Sequence, residues 1–243
     1  MSTSPFLADD PETQLAFAVA GGRGAFALLL GSGLSRAADI PTGWEITLDL
    51  VRRVAAAQGV GDEQDWAVWF RQKTGEEANY SRLVAELAKT RAERRALLEG
   101  YIEPEPDPEN SAKPQPTKAH HAIAQLVSDG LVKVIVTTNF DRLIENALRD
   151  RGVEPTVISS VDALAGAEPL AHARCFILKL HGDYKDARIL NTDEELSAYS
   201  ARQALLSALG PKFESELSQQ TNRPRLQAAK RQLLQPIGDA EPK

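Results

Sequence analysis

The chain has 243 residues, of which 42% are hydrophobic and 26% charged, with a formal net charge of -6. That is the profile of a soluble globular protein, not of a disordered, collagenous or membrane-bundle chain. Its single cysteine, Cys175, and four histidines can make neither an internal disulfide nor a clustered four-ligand zinc site. The acidic balance lacks the basic stripe needed to neutralise phosphates, so direct binding of DNA or RNA is not expected.

Residues 15–30 are apolar apart from Gly21, Gly22, Arg23 and Gly24. Asp9, Asp10 and Glu12 stand where a signal peptide would carry basic residues, and the glycines and Arg23 interrupt any membrane span. A reduced cytoplasm is the expected compartment. Residues 11–20 read as a short helix that the glycines end, and residues 25–30 as a compact buried strand.

A glycine-serine turn opens at Gly31, and Leu48, Val51 and Ala55 then share one face of a helix. Trp66, Trp69 and Phe70 share a face of a later helix and are expected in the core. A third helix is predicted over residues 80–98, with Arg91, Arg94 and Arg95 forming a solvated face. Residues 103–116 hold five of the fourteen prolines, alternating with acidic residues, and should be exposed and extended. Thr117 can cap a helix carrying Ala119, Ile123, Leu126 and Val127 on one side, which Gly130 stops before a β-branched strand over 131–136. A helix over 141–149, a short strand near 155–158 and an apolar strand over 175–180 follow. Strands alternating with helices imply a parallel α/β sheet. Residues 200–243 contain no Val, Tyr or Trp and read as two helices, near 201–209 and 224–234, followed by a frayed end.

Three loops follow predicted parallel strands, where open α/β sheets place ligands. In the first, Gly31-Ser32-Gly33-Leu34-Ser35, the glycines let backbone N–H groups approach a phosphate and the Ser32 and Ser35 hydroxyls add hydrogen bonds. Pro41, Thr42, Gly43 and Trp44 extend it and could wall a pocket. Thr137-Thr138-Asn139-Phe140-Asp141 is the second; Asn and Asp after a strand commonly just cap the next helix, a reading stronger for Asp141 than for Asn139. His181-Gly182-Asp183 is the third, and a histidine at a strand end is a candidate base. His120, His121 and His172 are assigned no chemistry. The cluster Thr192-Asp193-Glu194-Glu195 reads as a capping box opening a surface helix.

In this order the loops resemble the sirtuin NAD-binding domain over residues 28–199. More narrowly, G-S-G-L-S running on to Ile40-Pro41-Thr42-Gly43-Trp44, the 117–141 block and K-L-H-G-D-Y resemble the sirtuin-like domains of bacterial antiviral defence NADases. The resemblance implies a Rossmann-like parallel sheet over residues 1–199 with a helical insert at about 44–116, followed by the helical tail 200–243. It implies that Asn139 orders the nicotinamide ribose and a water, and that His181 contacts the ribose hydroxyls and serves as base. Gly31, Ser32, Gly33, Ser35, Pro41, Thr138 and Asp141 would bind the dinucleotide.

The deacylases of that family carry a four-cysteine zinc module after L-H-G, and residues 183–199 contain no cysteine. NAD is therefore expected as substrate, hydrolysed to nicotinamide and ADP-ribose without zinc. Binding of NAD or ADP-ribose without turnover, or scaffolding, is the alternative, and deacylation stands behind both. The family fold adds further strands after L-H-G, for which residues 200–243 carry no signal. The chain thus reads as shortened, as carrying helices in their place, or as completed by a protein partner or a second copy in a defence assembly.

Overall fold

The computed structural model describes residues 10–61, 65–104, 113–170 and 172–186. Four parallel strands, β1 (Phe26–Leu30), β2 (Val132–Thr137), β3 (Thr156–Ile158) and β4 (Phe176–Lys179), form one sheet in the order β1-β2-β4-β3. Helix α1 (Pro11–Gly21) precedes β1, and a 3-10 helix (Ser32–Ala38) follows it. Helices α2 (Gly43–Ala57), α3 (Trp66–Thr74), α4 (Tyr80–Leu87), α5 (Arg91–Ile102) and α6 (Lys118–Ser128) lie between β1 and β2. The remaining crossovers use α7 (Leu143–Arg149) and α8 (Val161–Ala165). The central strand β4 is buried at every position, as a parallel strand covered on both faces should be. Among the described residues no helix is long and apolar enough to cross a membrane.

One apolar cluster joins α6 and α7 to the sheet through Ala124, Val127, Ile135, Ile144, Leu148 and Ile177. A second gathers Ile158, Leu164, Phe176 and Leu178 beneath α8. The helices between Gly43 and Ile102 have a core of their own, built on Leu50, Val51, Leu83, Val84 and Leu98, with Trp66, Trp69 and Phe70 half-buried against it. That core also takes in Leu143 and Tyr184, so it is packed against the segments that follow β2 and β4. The insert therefore sits over the strand ends.

Three expectations are corrected. β1 is an edge strand with alternating burial, not a fully buried one; Leu29 is 71% exposed because, among the described residues, β1 pairs only with β2. The helix predicted over 80–98 is two helices, because Thr90 and Glu93 form a capping box that starts α5 afresh. Arg94 is not on a solvated face. It is buried, and its Nη1 donates to the carbonyls of Ala88 and Lys89, each at 3.1 Å, serving acceptors left by the end of α4.

Thr117 caps α6 with His120, whose Nδ1 accepts from the Thr117 backbone N–H at 3.1 Å. Burial holds the His120 imidazole below its usual pKa, the neutral form that this acceptor role requires. Gly130 ends the helix at φ 72°, a left-handed conformation open to glycine at little cost. Residues 105–112 of the proline-rich segment, the 192–195 cluster and the tail from 200 onward lie outside the described residues.

Candidate functional site

Sheet order decides what can meet. β1, β2 and β4 are consecutive neighbours, and their register aligns Leu30 with Thr137 and Thr137 with Lys179. Two residues beyond each aligned position stand Ser32, Asn139 and His181. Parallel pairing thus delivers the three sequence loops side by side at one edge of the sheet, where doubly wound folds bind ligands. Backbone bonds fasten them there: Thr138 N–H donates to Leu30 O at 3.2 Å, and Leu180 N–H to Thr137 O at 2.8 Å.

A cavity of about 240 Å³ opens at this edge. Of the residues singled out from the sequence, Ser32, Ser35, Pro41, Thr138, Asn139, Asp141 and His181 line it; Gly31 and Gly33 do not. Trp44 is 53% exposed and is no part of the wall, although Gly43 is. Neither loop glycine has a positive φ, and a Cβ added at Gly33 would meet no atom of the described residues within 4 Å. The protein's own backbone therefore does not demand glycine at 33. Gly182 differs: its φ of 87° lets the chain turn immediately after His181.

A hydrogen-bonded chain orders the centre of the cavity. Ser35 Oγ donates to Asp141 Oδ2 at 2.8 Å, which leaves the serine oxygen free to accept from Asn139 Nδ2 at 3.2 Å. Asp141 Oδ1 meanwhile accepts from the Leu143 backbone N–H at 3.0 Å and caps α7. Both carboxylate oxygens of Asp141 are thus engaged within the protein. Asn139 is held a second time, its backbone N–H donating to Thr137 Oγ1 at 3.0 Å. Because the amide NH₂ faces Ser35, the carbonyl oxygen is the end left over; Asn139 Oδ1 is buried and has no hydrogen-bond partner among the described residues. Buried acceptors are rarely left unmet. His181 lies in the same wall, its ring 6.0 Å from that of Phe140.

Beneath the loops is a charged cluster that the sequence reading did not single out. Lys179 Nζ is fully buried and shares its three protons among four acceptors, Phe140 O (3.2 Å), Asp141 O (2.6 Å), Glu145 Oε1 (3.0 Å) and Asp183 Oδ2 (2.9 Å). Arg142 Nε meets both oxygens of Asp183, at 3.0 and 2.9 Å. Burial works against ionising Asp183, but Lys179 and Arg142 outweigh it and hold the carboxyl below its usual range. For Glu145 burial prevails over Lys179, and its pKa is raised. One ammonium thus pins the backbone carrying Asn139 and the carboxylate two residues beyond His181. The available signal was a lysine inside the buried apolar run F-I-L-K-L.

Also missed were Tyr80, Leu98 and Ile102, which bring the insert into the cavity wall. Nothing in their local pattern separates them from ordinary core positions of amphipathic helices.

Residues 133–241 match the SIR2-like domain family. The match takes in the Asn139 and His181 loops and runs on through the residues read as a tail, while the Gly31–Ser35 loop precedes it. The matched family belongs to the sirtuin superfamily that the loops resemble. The parallel α/β sheet agrees with a Rossmann-like fold. No curated protein matches the chain. Among the described residues no group of three or more His, Cys, Asp or Glu side chains could hold a metal ion.

Proposed function

We propose that the protein is an NAD glycohydrolase, cleaving NAD to nicotinamide and ADP-ribose, and acts as an effector of bacterial antiviral defence. The observation that carries this reading is the Asn139–Ser35–Asp141 chain, which leaves Asn139, lining a cavity also lined by His181, with one fixed carbonyl oxygen unpartnered among the described residues. Such an oxygen can hold a water or a ribose hydroxyl without carrying a full negative charge. The cavity is smaller than the roughly 300–1,000 Å³ that encloses a drug-sized ligand, so it suits one end of a dinucleotide.

Cleavage breaks the bond between the nicotinamide nitrogen and C1′ of the ribose, and the electron pair leaves with the nitrogen. The ribose passes through an oxocarbenium-like state, water adds at C1′, and the proton released from the water goes to His181. Since the leaving group begins as a cation and departs neutral, the site's task is to hold the sugar, place the water and exclude other nucleophiles. A positioned base contributes roughly 10²- to 10⁴-fold. Ser32, Ser35, Pro41 and Thr138 would contact the nucleotide from the cavity wall, with Gly31 and Gly33 supplying backbone N–H groups beyond it.

The chain's single cysteine, standing inside β4's approach at position 175, argues against the four-cysteine module of the deacylases. The resemblance of the loops to defence NADases supports the biological setting, a cytoplasmic assembly with a protein partner or further copies of this chain. Incubation of the purified protein, alone and with the products of neighbouring genes, with a fluorescent NAD analogue tests the reading. Release of nicotinamide that is lost in Asn139→Ala and His181→Ala, with both variants folded, is the expected result. No turnover under any of these conditions leaves the second reading, an NAD- or ADP-ribose-binding module, which the strand-poor composition of residues 200–243 favours; titration with ADP-ribose identifies it.

A further inference from the structure

The insert contributes a tyrosine to the cavity wall as well as aliphatic side chains. Tyr80 is the first residue of α4, beyond its Asn79 cap, and lines the cavity together with Leu98 and Ile102 of α5. Its hydroxyl oxygen is buried and, among the described residues, has no hydrogen-bond partner. A tyrosine buried for packing alone ordinarily finds a partner for its hydroxyl; nearby Tyr101, for example, donates to Asp49 Oδ2 at 2.6 Å. Two residues that each carry an unpartnered buried polar atom, Tyr80 (Oη) and Asn139 (Oδ1), thus line one cavity. Burial raises the Tyr80 pKa, so the hydroxyl keeps its proton and is available as a donor.

Resting on the NAD reading above, we infer that Tyr80 is a ligand-contacting residue whose hydroxyl donates to the acceptor substituent of a flat aromatic ring seated between the insert and the β2 loop. Ile40, Ile46, Leu98, Ile102 and Phe140 supply the apolar surfaces that such a ring needs. In NAD the ring is the nicotinamide and the acceptor its carboxamide oxygen. The insert, not the sheet, then determines which ring the site admits.

Tyr80→Phe removes the oxygen and keeps the ring. Calorimetric titration of the full chain and of this variant with nicotinamide, and separately with ADP-ribose, is the test, with thermal unfolding run alongside. Nicotinamide affinity should fall about tenfold, the effect of one lost hydrogen bond of about 1.4 kcal/mol. ADP-ribose affinity should not change, and the melting temperature should hold or rise, because the variant no longer buries an unpaired hydroxyl. Equal nicotinamide affinity in the two proteins overturns the inference and assigns the hydroxyl to a bound water. Losses of the same size for both ligands together with a lower melting temperature overturn it in favour of a structural role. A wild-type chain that binds ADP-ribose but not nicotinamide refutes this inference and leaves the NAD reading standing; one that binds neither refutes both.

Discussion

Asn139 Nδ2 donates to Ser35 Oγ at 3.2 Å across 104 positions of sequence, joining the loop after β1 to the loop after β2. The serine hydroxyl can accept this bond only because its own proton is committed to Asp141. Three side chains therefore fix which end of the asparagine amide is paired within the protein and which is left without a partner among the described residues.

Ser35→Ala should consequently impair the site more than its size implies. The Asn139 amide loses its orienting acceptor, and Asp141 loses a buried donor at a cost of about 1–3 kcal/mol. Turnover of NAD should drop about tenfold or more, with kcat falling and KM little changed. Unchanged kcat in a variant that is measurably destabilised would show that Ser35 serves the fold alone.

Lys179→Met tests the foundation beneath the loops. Removing the ammonium strands the buried Glu145 carboxylate and leaves Asp183 with Arg142 alone, and breaking a buried ion pair in this way typically costs about 3–5 kcal/mol. Chemical denaturation should reveal a loss of that order. Adding Glu145→Gln should recover part of it by relieving the stranded charge, so the two substitutions should be non-additive. Simple additivity would mean that the pair is not coupled in solution.

The legible parts of this fold are those where local chemistry and global position agree. Thr137 to Asp141 and His181 to Asp183 announced themselves because Asn, Asp, His and Gly directly after β-branched or apolar runs can only stand at strand ends, and parallel strands put such ends together. Tyr80, Leu98 and Ile102 were silent for the opposite reason: their place in the cavity depends on how the insert folds over the sheet, and a helix-period apolar residue looks the same facing a ligand or a core. Arg94 misled because a guanidinium that caps a broken helix is indistinguishable, in sequence, from one in solvent. The exposure of Leu29 was hidden similarly, since a five-residue apolar strand carries no mark of which edge it will occupy.

Gly33→Ala separates chain requirements from ligand requirements. No atom of the described residues lies within 4 Å of the added methyl and the backbone is not left-handed there, so stability should change by less than about 1 kcal/mol. If the loop takes the dinucleotide against its backbone, the methyl obstructs that approach, and NAD affinity should fall without a change in melting temperature. Equal affinity in the two proteins would place the phosphates elsewhere.

Cys175 is fully buried, and burial pushes its thiol up to about 12. Since the thiolate is the nucleophile, iodoacetamide at pH 8 should leave the native protein unmodified and label it once in denaturant. The labelling rate under native conditions then reports opening of the sheet. Rapid modification of the folded protein would contradict the packing around β4.

Asp183 and Glu145 should leave opposite marks on the pH dependence of stability. The folded-state pKa of Asp183 is depressed below the ordinary 3.8, so its stabilising contribution is complete above that value and disappears as pH falls through the folded pKa. Glu145 is raised above 4.5, so its contribution is complete below that value and is lost as pH climbs through the raised one. Asp183→Asn should therefore lower stability at neutral pH and flatten its decline below about pH 4, whereas Glu145→Gln should leave that acid limb intact and remove the opposing slope above pH 4.5. Melting temperatures measured from pH 3 to pH 8 on the three proteins decide the matter, and an acid limb unchanged in Asp183→Asn would mean that Lys179 and Arg142 do not hold that carboxylate ionised.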